Sequence, residues 1–128
     1  DPVFQALVLR LGSDGLFIRV LLARLKAKSE IKPHVDKGYS LINCNRIHIP
    51  IITNDMVTFS VGGVSRSLKE GEIWEINNAD VHSVTNTSQD ARVHLIIDWT
   101  PRDTLLKDKK PFRMDIPMLY RSELRLHP

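Results

Sequence analysis

The sequence predicts an all-β domain closed as a sandwich or jelly roll, and three observations carry that reading. From residue 42 onward, short runs rich in alternating apolar and polar residues follow one another at strand length. Turn chemistry falls between the runs, at Asn54-Asp55, Gly62-Gly63, Glu70-Gly71, 77–80 and 86–90. No helical stretch separates them, so neighbouring strands are joined by short connections, as in antiparallel architectures.

The elements follow in order. Pro2, apolar residues at helical spacing over 3–11 and a stop at Gly12 predict a short N-terminal helix. Residues 15–25 hold enough leucine for a helix, but they alternate loosely and lead through Ser29-Glu30 into an extended segment, which favours a strand. Pro33 pushes Lys32 toward an extended backbone, and Gly38 permits a turn. Ile47, Ile49 and Ile51 then alternate with Arg46, His48 and Pro50. Residues 56–61 and 64–68 flank Gly62-Gly63, a pair suited to a two-residue hairpin. Strands are predicted over 72–76, 81–85 and 91–99, with 86–90 closing the last two into a hairpin. Prolines at 111, 117 and 128 among mixed charges predict an irregular extension or short helix over 100–128.

With 128 residues, the chain is expected to form one domain, its core over about 15–99. The longest apolar runs are too short or too interrupted by arginine to cross a bilayer, and no signal peptide is evident. Cys44 is the single cysteine and forms no internal disulfide, which fits a reducing compartment. These features predict a soluble, cytoplasmic protein. The start at Asp1-Pro2 leaves room for an upstream part. The formal charge of +3 is unevenly placed: residues 1–100 hold 11 Lys/Arg and 11 Asp/Glu, so the excess lies in the last 28. That tail mixes acids with its bases and lacks interleaved aromatics, which argues against a nucleic-acid track.

His34 and Asp36 lie two residues apart in an extended segment, so their side chains share a face and can converge on one ion. His82 is the candidate third ligand. Two histidines and a carboxylate suit the ferrous iron of non-haem oxygenases, whereas a His-x-Asp pair by itself also fits a solvated strand end. The predicted hairpin places His82 opposite or nearly opposite Arg92, whose planar fork suits a carboxylate. The plainer alternative points Arg92 outward to an acid such as Asp90. Arg92, His94, Ile96 and Asp98 alternate with Val93, Leu95, Ile97 and Trp99, as expected if one face packs in a core and the other lines a polar cavity. Arg46 and His48 share one strand face, which looks either into water or into a site.

His34-Val-Asp36, Arg46-Ile-His-Ile-Pro50, the run over 71–78, His82-x-x-x-Asn86 and Arg92-Val-His-Leu-Ile-Ile-Asp98 together resemble the aspartyl/asparaginyl β-hydroxylase family of iron(II)- and 2-oxoglutarate-dependent dioxygenases. The resemblance covers about 15–99. It implies a double-stranded β-helix of cupin-like form, iron held by His34, Asp36 and His82, and Arg92 on the distal carboxylate of 2-oxoglutarate. It further implies His48 near the cosubstrate's metal-proximal end, and Arg46 at a position that in some members faces the substrate. The family's animal peptide-hydroxylating members lack a carboxylate at the position of Asp36, while related bacterial amino-acid hydroxylases keep one. The implied reaction is hydroxylation, using molecular oxygen, of a small carboxylate-bearing substrate such as an amino acid or a peptidyl Asp/Asn residue. A metal-binding cupin, acting as an isomerase or small-molecule binder, and a catalytically silent jelly-roll partner module are the alternatives. The former fits Gly71 followed by His82-x-x-x-Asn86 but lacks a first cupin motif.

Overall fold

The predicted strands are realised in a computed structural model that describes residues 5, 14–37, 44–102 and 121–122. Nine strands occur among these residues: β1 Gly15–Leu25, β2 Ser29–His34, β3 Asn45–Ile52, β4 Val57–Val61, β5 Val64–Arg66, β6 Ile73–Ile76, β7 His82–Asn86, β8 Arg92–Pro101 and β9 Arg121–Ser122. They form two antiparallel sheets, β1-β8-β3-β6-β9 and β2-β7-β4-β5. Residues 15–25 are thus a strand, not a helix. Of the helix predicted over 3–11 only Gln5 is described, and most of 100–128 also lies outside the described residues. Where 100–128 is described it is partly regular, since β8 runs to Pro101 and β9 pairs with Ile73 and Trp74. No helix among the described residues is long and apolar enough to cross a membrane.

The two sheets face each other across a core of Leu25, Trp74 and Ile76 from one and Val57, Phe59, Val61 and Val84 from the other, with Leu68 between. Ile47, Ile49, Ile73 and Ile97 form a second apolar cluster on the opposite face of the five-stranded sheet. Both faces of β3 are therefore apolar or site-lining through Pro50, whereas Ile51 and Ile52 are exposed. The register irregularity between Pro50 and Ile52 explains that change, because proline has no N–H for the ladder. Gly62 and Gly63 turn β4 into β5 at φ 54° and 82°, the left-handed pair a tight primed turn demands.

One predicted connection is different. β7 pairs with β2 and β4, whereas β8 pairs with β1 and β3, so 87–91 crosses between sheets and no β7–β8 hairpin forms. The corner is built on Asn86. Its amide donates to the carbonyls of Lys26 (3.1 Å) and Asp90 (2.8 Å), and its Oδ1 accepts from the Ser88 N–H and hydroxyl (3.1 and 2.7 Å). This buried side chain ties the link after β7 to the turn between β1 and β2, redirecting the chain to the facing sheet.

Candidate functional site

The site lies at one end of the space between the sheets. In β2 the register slips between Ile31 and His34, around Pro33, and this bulge sets His34 directly across from His82 of β7. Their ring centroids are 4.3 Å apart. Asp36 lies just past the end of β2, not within a strand, and its N–H donates to the Asn78 carbonyl (3.3 Å). Its Oδ1 is 3.5 Å from His34 Nε2 and 3.6 Å from His82 Nε2.

Backbone carbonyls set which ring nitrogens face inward. His34 Nδ1 is 2.8 Å from the Lys32 carbonyl and His82 Nδ1 is 2.9 Å from the Asp80 carbonyl. A carbonyl only accepts, so each Nδ1 carries a proton, and in the neutral ring, the form that binds a metal, each Nε2 presents a lone pair. One ligand atom from each of His34, Asp36 and His82 lies within 4.8 Å of the others. Two imidazole nitrogens and one carboxylate oxygen fit a ferrous ion with positions left open. Burial works against charge on both Asp36 and His82. The attraction between the two, together with Arg46 at Asp36 and the Asp80 carbonyl at His82, outweighs burial, so the Asp36 pKa is lowered and the His82 pKa raised.

The facing sheet contributes Arg46, His48, Arg92, His94 and Asp98, all buried. Arg92 is 1% exposed, its Nε has no hydrogen-bond partner, and no carboxylate pairs with it among the described residues. Burial pulls its pKa down to about 10. An uncompensated buried guanidinium is costly, and its natural complement is an anion that enters the site. The outward alternative with Asp90 does not occur. Arg92 stands across from Leu25 of β1, not across a hairpin from His82.

His48 and His94 form a second buried pair, with Nδ1 atoms 3.2 Å apart. One must donate and the other accept, so one ring carries its single proton on Nδ1 and the other carries its on Nε2. Phe59 stacks on His94 and meets His48 edge-on. Burial first, then the neighbouring charges, holds His48 well below the ordinary imidazole value and His94 at about 3, so both are neutral. His94 Nε2 is buried without a partner, like Arg92 Nε.

Arg46 occupies neither solvent nor an open cavity mouth. Its Nε and Nη2 donate to the two oxygens of Asp98 (2.8 and 2.9 Å), and its Nη1 donates to Asp36 Oδ2 (2.7 Å). Two carboxylates already hold the group expected to receive a substrate anion. Sequence reasoning assigned no role to Asp98 or His94, although alternation along β8 placed both on the Arg92 face. Cys44, beside this cluster, is inert: burial first and Asp98 next push its thiol up to about 12.

No curated protein matches the chain. A family model for aspartyl/asparaginyl beta-hydroxylases matches residues 2–101, a span that contains β1 to β8 and every site residue named above. The match covers most of the chain and runs through both sheets, and we conclude that the protein belongs to the aspartyl/asparaginyl β-hydroxylase family.

Proposed function

We propose that the protein is an iron(II)- and 2-oxoglutarate-dependent hydroxylase, with His34, Asp36 and His82 as metal ligands and Arg92 as the anchor of the cosubstrate's distal carboxylate. The carrying observation is the buried Arg92 guanidinium, which faces the same inter-sheet space as the His34-Asp36-His82 cluster and has no acid of its own among the described residues. A dicarboxylate with one end at the metal and the other at Arg92 would supply the missing charge. The strand order β1-β8-β3-β6 facing β2-β7-β4-β5 supports a jelly roll, the arrangement produced when two Greek keys fold together.

In this reading the metal and 2-oxoglutarate supply oxygen activation for placing a hydroxyl on a carbon of the substrate. The chain's own groups do the positioning. The carbonyls of Lys32 and Asp80 hold His34 and His82 with Nε2 inward, and Arg92 fixes the far end of the cosubstrate. His48 and His94, kept neutral, offer one N–H donor and one acceptor beside it without adding charge. Val61, Phe59 and Val84 close the floor of the space against water.

The test is succinate formation from 2-oxoglutarate by the iron-loaded protein in air, across a panel of free amino acids, small acids and short peptides. Iron-dependent succinate that is stimulated by at least one panel member, and lost in His82→Ala and Arg92→Ala, is expected. Metal binding without any response to 2-oxoglutarate would point instead to a metal-binding cupin.

A further inference from the structure

We infer that Arg46 and Asp98 are positioning residues for the metal ligand Asp36, holding its carboxylate so that it meets the metal through Oδ1 alone. The inference rests on the metal-site reading above and extends it to two residues outside the ligand set.

The two oxygens of Asp36 have separate surroundings. Oδ1 faces both histidine Nε2 atoms, at 3.5 and 3.6 Å, while Oδ2 accepts a hydrogen bond from Arg46 Nη1 at 2.7 Å. A carboxylate held by one oxygen in this way has only the other to offer. A second metal–oxygen bond from Asp36 would use a coordination position needed for cosubstrate or oxygen.

Arg46 is itself fixed. Asp98 stands directly across the β3–β8 ladder from it and takes Nε and Nη2 through separate oxygens, a fork-on-fork pair that sets the guanidinium plane. Asp98 is 1% exposed and is also across from Arg19 of β1, whose Nε donates to Oδ2 at 3.0 Å. Three adjacent strands thus line up Arg19, Asp98 and Arg46 in alternating charge, and the row ends on Asp36 in the segment after β2 of the other sheet. It is the ionic link between the sheets at the metal site among the described residues. The geometry explains why a buried arginine–aspartate pair is placed here: it presents one more N–H, in a fixed direction, to the outer oxygen of a ligand.

The test uses Asp98→Asn and Arg46→Lys, with cobalt(II) as the probe metal, its dissociation constant and its visible absorption as readouts, and circular dichroism as the check on folding. Asparagine keeps the shape of Asp98 but loses the charge that fixes the fork. Lysine keeps the charge of Arg46 but lacks the planar fork that takes both Asp98 oxygens while presenting another N–H to Asp36. Expected are a 10–100-fold weaker cobalt affinity in each folded variant, an altered cobalt spectrum, and a double variant no worse than the poorer single one, because both changes break the same link. An ion pair that only braces the sheets would lower the melting temperature and leave the cobalt affinity and spectrum as in the parent; that outcome, in whichever variant folds, overturns the inference. Should the parent bind no cobalt, or His82→Ala bind it as the parent does, the metal reading falls and this inference with it. Parent binding that is lost in His82→Ala but unchanged in Asp98→Asn and Arg46→Lys removes this inference alone.

Discussion

Replacing Arg92 by methionine should make the ligand-free protein more stable and the cosubstrate useless to it. Burial lowers the guanidinium pKa from 12.5 to about 10, which at ~1.4 kcal/mol per pH unit makes the charged form cost the fold on the order of 3 kcal/mol. That cost is present at every pH below about 10 and is relieved as pH rises from there toward 12.5, where the unfolded chain still holds the proton and the folded one does not. Methionine keeps an unbranched, adaptable side chain in the same space without charge. The expected gain in unfolding free energy is therefore about 1–3 kcal/mol, read from urea midpoints at neutral pH. In the parent, loaded with manganese to prevent turnover, 2-oxoglutarate at ~100 times its dissociation constant should raise stability by about 2.7 kcal/mol. Arg92→Met should show no such rise. A variant that is less stable than the parent and still gains stability from 2-oxoglutarate would refute the assignment of Arg92 as an unpaired anion receptor.

Three further outcomes follow from named contacts. His82→Ala should keep its fold and lose stoichiometric iron, because it removes one of two imidazole donors from the cluster; full iron retention by metal analysis excludes the assignment. Acid should unfold the protein through His48 and His94: with folded pKa values depressed by burial, unfolded histidines take up protons first, so stability falls as pH drops below ~6.5, at about 1.4 kcal/mol per pH unit for each residue. Thermal melts between pH 7 and 5 check it, and the slope should lessen in His94→Phe; an identical slope in parent and variant contradicts it. Asn86→Ala should cost on the order of 2 kcal/mol, since the carbonyls of Lys26 and Asp90 lose the buried amide that ties them together; a cost under ~0.5 kcal/mol in urea unfolding would show that the corner does not depend on it.

Much of this structure was legible residue by residue. Alternation and the Gly62-Gly63 pair located β3 to β8 closely, because strand faces and a primed turn are local properties. The two faces of β8, one apolar and one carrying Arg92, His94 and Asp98, were visible for the same reason. The β7–β8 connection was not, since a five-residue polar link looks alike whether the chain turns back within a sheet or crosses to another. What decides it is the pairing of β7 with β2 and of β8 with β1, contacts between residues far apart in sequence. Arg46 was placed on the right face of β3, yet its partner Asp98 comes from a strand 52 residues later, so its engagement by two acids could not be read from spacing. His34 and Asp36 do converge, but through a bulge at Pro33 and a turn off the end of β2, not through the plain two-residue repeat of a strand.

In the proposed function one site holds a metal through His34, Asp36 and His82, and a 2-oxoacid dicarboxylate between that metal and Arg92. Anaerobic titration of the iron-loaded protein with 2-oxoglutarate, followed by visible absorption, tests it most directly. Expected is a weak charge-transfer band that grows to saturation at one equivalent per iron, is absent in His82→Ala, and needs far more 2-oxoglutarate in Arg92→Ala. Iron-loaded protein that shows no band at any 2-oxoglutarate concentration, or an Arg92→Ala titration that overlays the parent's, would contradict it.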